Sequence, residues 1–474
     1  MIAPMSEAVL EVPRSWKALP WLAAVTKAGG KAYAVGGAVR DLFAGGEPQD
    51  LDVVVTGVPG EKLRSMLAAC GKVDRVGEHF AIYKWKSREA FVVDVALPRR
   101  ERSTGPGHRD FEIEACVDLS VEDDLARRDF TINAMALALP DGKMIDPHDG
   151  RRDFHRNRLR AVGDAGERFR EDPLRMLRGV AFVARFVLDV EVSTREAMKR
   201  CAPLIATVSE ERIATELAKL LSHAKKPSRG LSLMVETGLL VRIIPEFRAS
   251  IGFDQMNPYH HLPLDQHVFA VVDECCRRGA NLAVRIAALF HDIAKPTCRS
   301  EERDAKGRVV AHFFGHEEES AKMAASIFDR LRLSAAQEVP AGTLETALQI
   351  IRHHRVDLEA LQSERALRRW IRRVGGSEVA LQVLEHHQAD RFAHAPGFDR
   401  VELGDLRARI RAASDVPVTD HVLALDGRAI GEIFGLEGKS IGRLKHDLLD
   451  LIVAGDCPNE KEALITAARK ILAR

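Results

Sequence analysis

No uninterrupted apolar run in these 474 residues is long enough to cross a bilayer, so no membrane-spanning helix is expected. The start also lacks the basic, apolar and small-residue succession of a secretory signal, and a cytoplasmic location is expected. Cysteine is sparse. Cys70, Cys116, Cys201, Cys275, Cys276, Cys298 and Cys457 are scattered, odd in number and without a C-x-x-C pair, which fits reduced thiols in a cytoplasm. A charge excess is missing too. The formal net charge is only +1, which by itself selects no partner.

What is present is length and local pattern. A chain of 474 residues is too long for one core, so about two to four domains are expected. Charge is uneven: Arg151, Arg152, Arg156, Arg158, Arg160, Arg168, Arg170, Arg175 and Arg178 crowd one region. Such a stripe can hold an RNA backbone by neutralising phosphates; its plain alternative is a solvated helix face.

The densest chemical pattern lies near the start. Lys31-Ala32-Tyr33-Ala34-Val35 reads as a buried strand ending at Gly36-Gly37, whose missing Cβ atoms let backbone N–H groups approach a phosphate. Ala38 to Phe43 reads as the first turns of a helix, whose start favours an anion within reach of Arg40. Gly45-Gly46-Glu47-Pro48 breaks the chain before a second strand, Leu51 to Val55. Residues two apart on a strand point the same way, so Asp50 and Asp52 converge and need a cation to relieve their repulsion. Oxygen-only ligands suit Mg²⁺, and Asp94, on the apolar strand Phe91 to Val95, is the third carboxylate. An ordinary turn and strand-edge aspartates explain each piece alone, but not glycines, Arg-Asp and Asp-x-Asp in this order.

This stretch resembles the head of the class II tRNA nucleotidyltransferases and bacterial poly(A) polymerases, members of the polymerase-β-like superfamily. Pro98 to His108 is polar and turn-rich and reads as a mobile loop. Beyond it, Asp124-Leu125-Ala126-Arg127-Arg128-Asp129-Phe130-Thr131-Ile132-Asn133-Ala134 begins a helical pattern, with Asp129 and Asn133 four apart on one face. The resemblance implies that Arg128 addresses a triphosphate while Asp129 and Asn133 sense the ribose. In Glu171-Asp172-Pro173-Leu174-Arg175-Met176-Leu177-Arg178, Asp172 reads as an N-cap and Pro173 as the first helical residue. The segment is similar to the family's Glu-Asp-x-x-Arg motif, which implies that Asp172 and Arg175 select the incoming base and that Arg178 supports them. The amphipathic helix from Glu210 to Leu221 reads as packing.

A second constellation follows residue 245. His267 lies in one apolar helical run, and His291-Asp292 closes another. Adjacent side chains cannot share one face of a regular helix, but at a helix end both can turn to one ion. With His312, Gly315-His316-Glu317, His353-His354 and Glu385-His386-His387-Gln388-Ala389-Asp390, the spacing resembles an HD-type metal-dependent phosphohydrolase. That resemblance implies His267, His291, Asp292 and Asp390 as ligands. His316 and His353 are candidates for a second metal or a phosphate, roles open equally to His312 and His354. His386 and His387 are read as ordinary helix residues. Gly435 to Lys439 is too closely spaced for a P-loop. Residues beyond 412 look instead like the RNA-binding body and tail of class II nucleotidyltransferases.

The expected architecture is an α+β nucleotidyltransferase head at 1–150 with a mixed sheet and helices. A mostly helical neck and RNA-binding body at 151–247, a helical HD domain at 248–400 and a helical RNA-binding tail at 401–474 follow. The implied activity is template-independent addition of CMP and AMP to tRNA 3′ ends from CTP and ATP. It needs Mg²⁺ in the head, and an HD phosphohydrolase using Mg²⁺, Mn²⁺ or Ni²⁺ is expected to act on 2′,3′-cyclic or monoester phosphates of RNA ends or nucleotides. The alternatives are a poly(A) polymerase, a CC-only or A-only enzyme, or an HD nucleotide phosphohydrolase whose head only binds. A homodimer is a compatible assembly.

Overall fold

The computed structural model describes residues 10–46, 48, 50–76, 82–87, 91–103, 111–115, 118–257, 259–303, 305–394, 403–413 and 423–473. Cys116 and the middle of the segment read as a loop after Pro98 lie outside them. Two compact units form, one from Met1–Glu216 with Arg229–Ile243, the other from Leu217–Ser228 with Ile244–Arg474.

In the first unit, short β-prone runs build a mixed seven-stranded sheet. Its strands are β1 (Lys31–Val35), β2 (Leu51–Thr56), β3 (Lys72–Val76), β4 (Ile82–Lys86) and β5 (Val92–Ala96), then, past a separate hairpin, β8 (Ala136–Leu139) and β9 (Met144–Ile145). The hairpin is β6 (Arg99–Ser103) with β7 (Phe111–Ala115). The order across the sheet is β3-β4-β5-β2-β1-β8-β9. β1 is an interior strand, paired antiparallel on both sides and buried from Ala32 to Val35. The parallel pair β2 and β5 sets Asp52 opposite Asp94 and decides the site. Behind the sheet, Trp21 meets Trp85 edge to face at 6.3 Å, in a core that also buries Leu63 and Leu67.

Helix α1 (Gly37–Phe43) leaves β1 through Gly36, and α2 (Val121–Ala126) starts from a Ser120–Asp123 capping box. The neck adds α3 (Ala165–Glu171) and α4 (Leu174–Phe186). Three expectations are corrected here. Arg99–Ser103, read as loop, is a strand, because ladder pairing with β7 satisfies a backbone whose own sequence has no apolar alternation. Asp129 to Asn133 is not α-helical: α2 stops at Ala126, and only Thr131–Asn133 makes a single 3₁₀ turn. Pro173, not Asp172, is the residue that flanks α4, although Asp172 still accepts from the Leu174 N–H at 3.2 Å.

The second unit is mostly helical, with an antiparallel strand pair, Ser300–Arg303 and Val309–His312. Helices α5 (Leu264–Arg277), α6 (Leu282–Phe290), α7 (His316–Arg330), α8 (Thr343–His353), α9 (Glu364–Val374) and α10 (Ser377–Phe392) pack side by side. α6 starts at Asn281, which accepts the Val284 N–H, and is buried along nearly its whole length. Near the end of the chain α11 (Lys439–Ala454) packs on α9. Helix Gly427–Phe434, not a strand, precedes α11, which removes the structural context of a P-loop.

Candidate functional sites

The head site starts from strand register. Parallel neighbours stand about 4.8 Å apart, so pairing Asp52 with Asp94 brings both carboxylates to one face. They line a cleft of about 170 Å³ with Asp124, Arg127 and Arg128. Asp50 lies just before β2, exposed, and its charge is felt at Asp52. Surrounding protein, then the Asp94 and Asp50 charges, push the Asp52 pKa up against the pull of Arg128. One Asp94 oxygen, Oδ1, is buried without a hydrogen bond, with the Lys84 ammonium 3.8 Å away as its counter-charge. Crowded carboxylates with an unsatisfied oxygen fit a hard divalent cation.

Gly36 is needed where it stands. Its φ is +70°, and a Cβ there would lie 2.5 Å from Arg128 Nη1 and 3.9 Å from Asp52 Oδ2. Arg128 is held by Asp124, whose Oδ2 accepts from Nη2 at 3.0 Å and from Nε at 3.2 Å. Asp124 grips Arg127 as well. Burial alone would raise the Asp124 pKa, but the two guanidinium groups outweigh it and hold the carboxylate ionised. Asp124 thus presents two cations to the cleft. Sequence reading passed over it, although the capping box and the i,i+4 spacing to Arg128 were available signals.

Arg40 takes a different place from the one expected. It is buried, donates to Asn133 Oδ1 at 2.7 Å and to Asp41 at 2.7 Å, and lies over the Phe182 and Phe186 rings. Its donors are committed inside the protein, so it braces Asn133 instead of reaching for an anion. Asn133 in turn donates to Asp129 Oδ1 at 3.1 Å, and Asp129 Oδ2 meets Arg178 at 2.8 Å. Arg40, Asn133, Asp129 and Arg178 form one chain of polar contacts linking α1 to α4. Beside it, Arg175 contacts Glu171 at 2.8 Å and the Arg127 carbonyl at 3.1 Å. Asp172 pairs with Arg212 at 2.9 Å, a partner not found from sequence.

In the second unit, Asp292 lies at the centre. It follows the C-terminal end of α6, and its Oδ2 lies 3.1 Å from His291 Nε2 and 3.8 Å from His267 Nε2. Asp390 Oδ1, from α10, is 2.9 Å from His267 Nε2 and 3.8 Å from His291 Nε2. The other oxygen, Asp292 Oδ1, lies 3.2 Å from His316 Nε2 and 3.7 Å from His354 Nε2. The four expected ligands therefore converge, and one carboxylate faces two imidazole pairs.

Hydrogen bonds set the ring orientation. His291, His316 and His354 each place Nδ1 on the carbonyl three residues earlier, at 2.9, 2.6 and 2.7 Å. With Nδ1–H donating there, each Nε2 keeps a lone pair aimed inward. The Nε2 atoms of His316 and His354 are only 3.3 Å apart, a repulsive contact unless a cation or proton lies between them. His291 Nε2, Asp292 Oδ1 and Asp390 Oδ1 are buried without hydrogen-bond partners. This donor set fits a divalent metal with mixed nitrogen and oxygen ligands.

The charges agree with that fit. Burial disfavours ionising Asp292, yet His291 and Lys295 hold its pKa well below the ordinary range. Burial likewise opposes the Asp390 charge, and His267 outweighs it.

His353 does not belong to the cluster; His354 does. A step of one residue at the end of α8 turns the side chain to another face, and His353 lines a separate cavity. His386, read as an ordinary residue, packs 4.8 Å from His291 with both ring nitrogens unpartnered, and burial pushes its pKa down to about 3. Its i,i+4 spacing to Asp390 was the signal. His260 and His394 complete a third group around His267, with rings 4.5 and 5.7 Å from it. His260 lies outside any helix, where no periodicity announces it.

Comparison with known proteins follows this division. The model of the poly(A) polymerase head domain matches residues 32–160, that of the probable RNA- and SrmB-binding site of polymerase A matches 188–251, and that of the HD domain matches 264–393. The multifunctional CCA protein of Burkholderia pseudomallei (strain 1106a) is 36% identical over 333 residues, 68% of this chain and 75% of that protein. Its counterpart from Cupriavidus necator is 37% identical over 334 residues, with the same shares. The Bacillus stearothermophilus CCA-adding enzyme, solved with CTP, has the same fold: TM-score 0.70 at 24% identity, covering 98% of both chains. No helix among the described residues is long and apolar enough to cross a membrane. With a poly(A) polymerase-type head, its RNA-binding segment and an HD domain in one chain, this protein belongs to the family of the multifunctional CCA proteins, tRNA nucleotidyltransferases.

Proposed function

We propose that this protein rebuilds tRNA 3′ ends by adding CMP and AMP from CTP and ATP without a nucleic-acid template, and that its HD centre hydrolyses phosphate esters on RNA ends. The observation that carries the first part is the β2–β5 register, which sets Asp52 beside Asp94 in a cleft shared with Arg128. The curated relatives' name points the same way.

Asp50 and Asp52 would hold Mg²⁺, with Asp94 as third carboxylate. The ion would supply activation of the RNA 3′-hydroxyl and charge stabilisation at the α-phosphate as pyrophosphate leaves. The chain's own groups do the positioning. Arg128, fixed by Asp124, offers a guanidinium to the triphosphate, and Gly36-Gly37 leaves room for its approach. The resemblance assigns the ribose to Asp129 and Asn133; their polar atoms are engaged by Arg40, Arg178 and each other, so a ribose hydroxyl would replace one of these contacts. Asp172 and Arg175 offer one acceptor and one donor face to the base, which rejects a base whose polar edge would be left unpaired. The limits 150, 247 and 400 divide head, neck, HD domain and tail in this scheme. Incubating the protein with labelled CTP or ATP and tRNAs ending in N, NC or NCC tests it. Addition of many AMP units without CTP use would assign a poly(A) polymerase instead.

For the HD centre, His267, His291, Asp292 and Asp390 would hold one ion, with His316 and His354 facing a second position. A bound ion would supply a hydroxide for attack on phosphorus. The imidazole-rich donors suit Mn²⁺ or Ni²⁺ better than Mg²⁺. A 2′,3′-cyclic phosphate blocks the hydroxyl that the head requires, so clearing it and rebuilding the end form one task. Full hydrolysis of such ends by His291→Ala would remove this assignment.

A further inference from the structure

Two cavities meet beside the HD centre. The first is its mouth, lined by Asp292, His316, His354 and Asp390 and rimmed by Phe314. Phe314 is 74% exposed and stacks on His312, with ring centroids 5.4 Å apart and planes 7° apart. A large ring left in water over a hydrolytic site is a platform for a nucleobase. The second cavity, about 520 Å³, lies among α7, α8 and α9 and is lined by His353, Arg352, Arg369, Trp370 and Arg373. Arg355 lines both cavities.

Helix α9 sorts its arginines by face. Arg368 donates to the Val453 carbonyl and Arg372 pairs with Asp450, so this i,i+4 pair fastens α9 to α11. Arg369 and Arg373, the next i,i+4 pair, are exposed, line the cavity and make no ion pair among the described residues. The acids on the same wall are already engaged: Glu318 faces Arg352 at 3.4 Å, Glu317 faces Arg355 at 3.2 Å, and Asp357 accepts the Glu359 and Ala360 N–H groups. Burial and the Arg373 and Arg352 charges also keep the His353 ring below its ordinary pKa.

We infer that the Arg369–Arg373 cavity binds backbone phosphates of a single-stranded RNA whose last base stacks on Phe314 and whose terminal phosphate enters the HD mouth. The inference rests on the HD reading above. It makes Arg369 and Arg373 positioning residues for a polynucleotide, a substrate that a mononucleotide imitates only at the mouth.

The test compares the full chain with its R369A/R373A variant on a short RNA ending in a 2′,3′-cyclic phosphate and on a mononucleoside 2′,3′-cyclic phosphate. The variant is expected to lower kcat/KM on the RNA about tenfold more than on the mononucleotide, through KM, as charge-assisted contacts are lost. R369K/R373K, which keeps both charges, restores most of the difference. An equal change on both substrates overturns the inference. If the parent chain hydrolyses neither, the HD reading falls, and the cavity is judged by RNA binding alone. There the variant lowers the salt-dependence slope by about 1.4, for two single-strand phosphates, and an unchanged slope overturns it.

Discussion

The head and the HD centre both gather carboxylates for a divalent ion, but they expose them differently. Asp50 and Asp52 are exposed and Asp94 is half-buried, all at the open side of a sheet where strand pairing alone brings them together. His267, His291, Asp292, His316 and His354 are buried, supplied by four helices and their ends, and three of the imidazoles, His291, His316 and His354, are oriented by carbonyls three residues back. An exposed oxygen site suits an ion that keeps water and substrate phosphates in its shell. A buried imidazole site fixes geometry and favours softer metals. The contrast matches the two tasks proposed above: accepting a triphosphate and an RNA end together, and cleaving one ester.

Breaking either site alone gives the largest effects. Asp52→Ala should lower nucleotide addition by about 10³-fold or more and leave hydrolysis of 2′,3′-cyclic ends in place, measured on the same preparation. His291→Ala should do the reverse. Equal loss of both activities in either variant would merge the sites and end the comparison. Chelation followed by add-back sharpens it: addition should recover with Mg²⁺, and hydrolysis should recover further with Mn²⁺ or Ni²⁺.

Smaller effects probe the supports. His386→Ala, next to His291, should lower HD activity or metal affinity by about 10- to 100-fold, read by metal titration of the variant. No change would return His386 to plain packing. Gly36→Ala should cost addition about tenfold, seen as a raised KM for CTP, because the new methyl displaces Arg128. Its HD activity serves as the internal control.

Much of this was legible because it is local. Gly36-Gly37, Asp50-Leu51-Asp52 and His291-Asp292 each gather their groups within two or three residues, at a strand or helix boundary that the sequence pattern marks. Arg40 and His353 show the limit. Both types were right for their imagined tasks, but Arg40 is turned inward by Asn133 and Asp41, and a single helical step separates His353 from the cluster that His354 joins. Neither outcome follows from spacing, because a polar side chain at a helix end has more than one face open to it.

The sequence alone determined the order of parts, the carboxylates of the head, the four residues that converge in the HD centre and the absence of a spanning apolar run. Tertiary structure decided which groups meet across distance. Strand register placed Asp94 beside Asp52, Asp124 committed two arginines to one cleft, and helix packing divided Arg368 and Arg372 from Arg369 and Arg373. The reason is physical: periodicity fixes which residues share a face, and only the neighbour packed against that face fixes what they do.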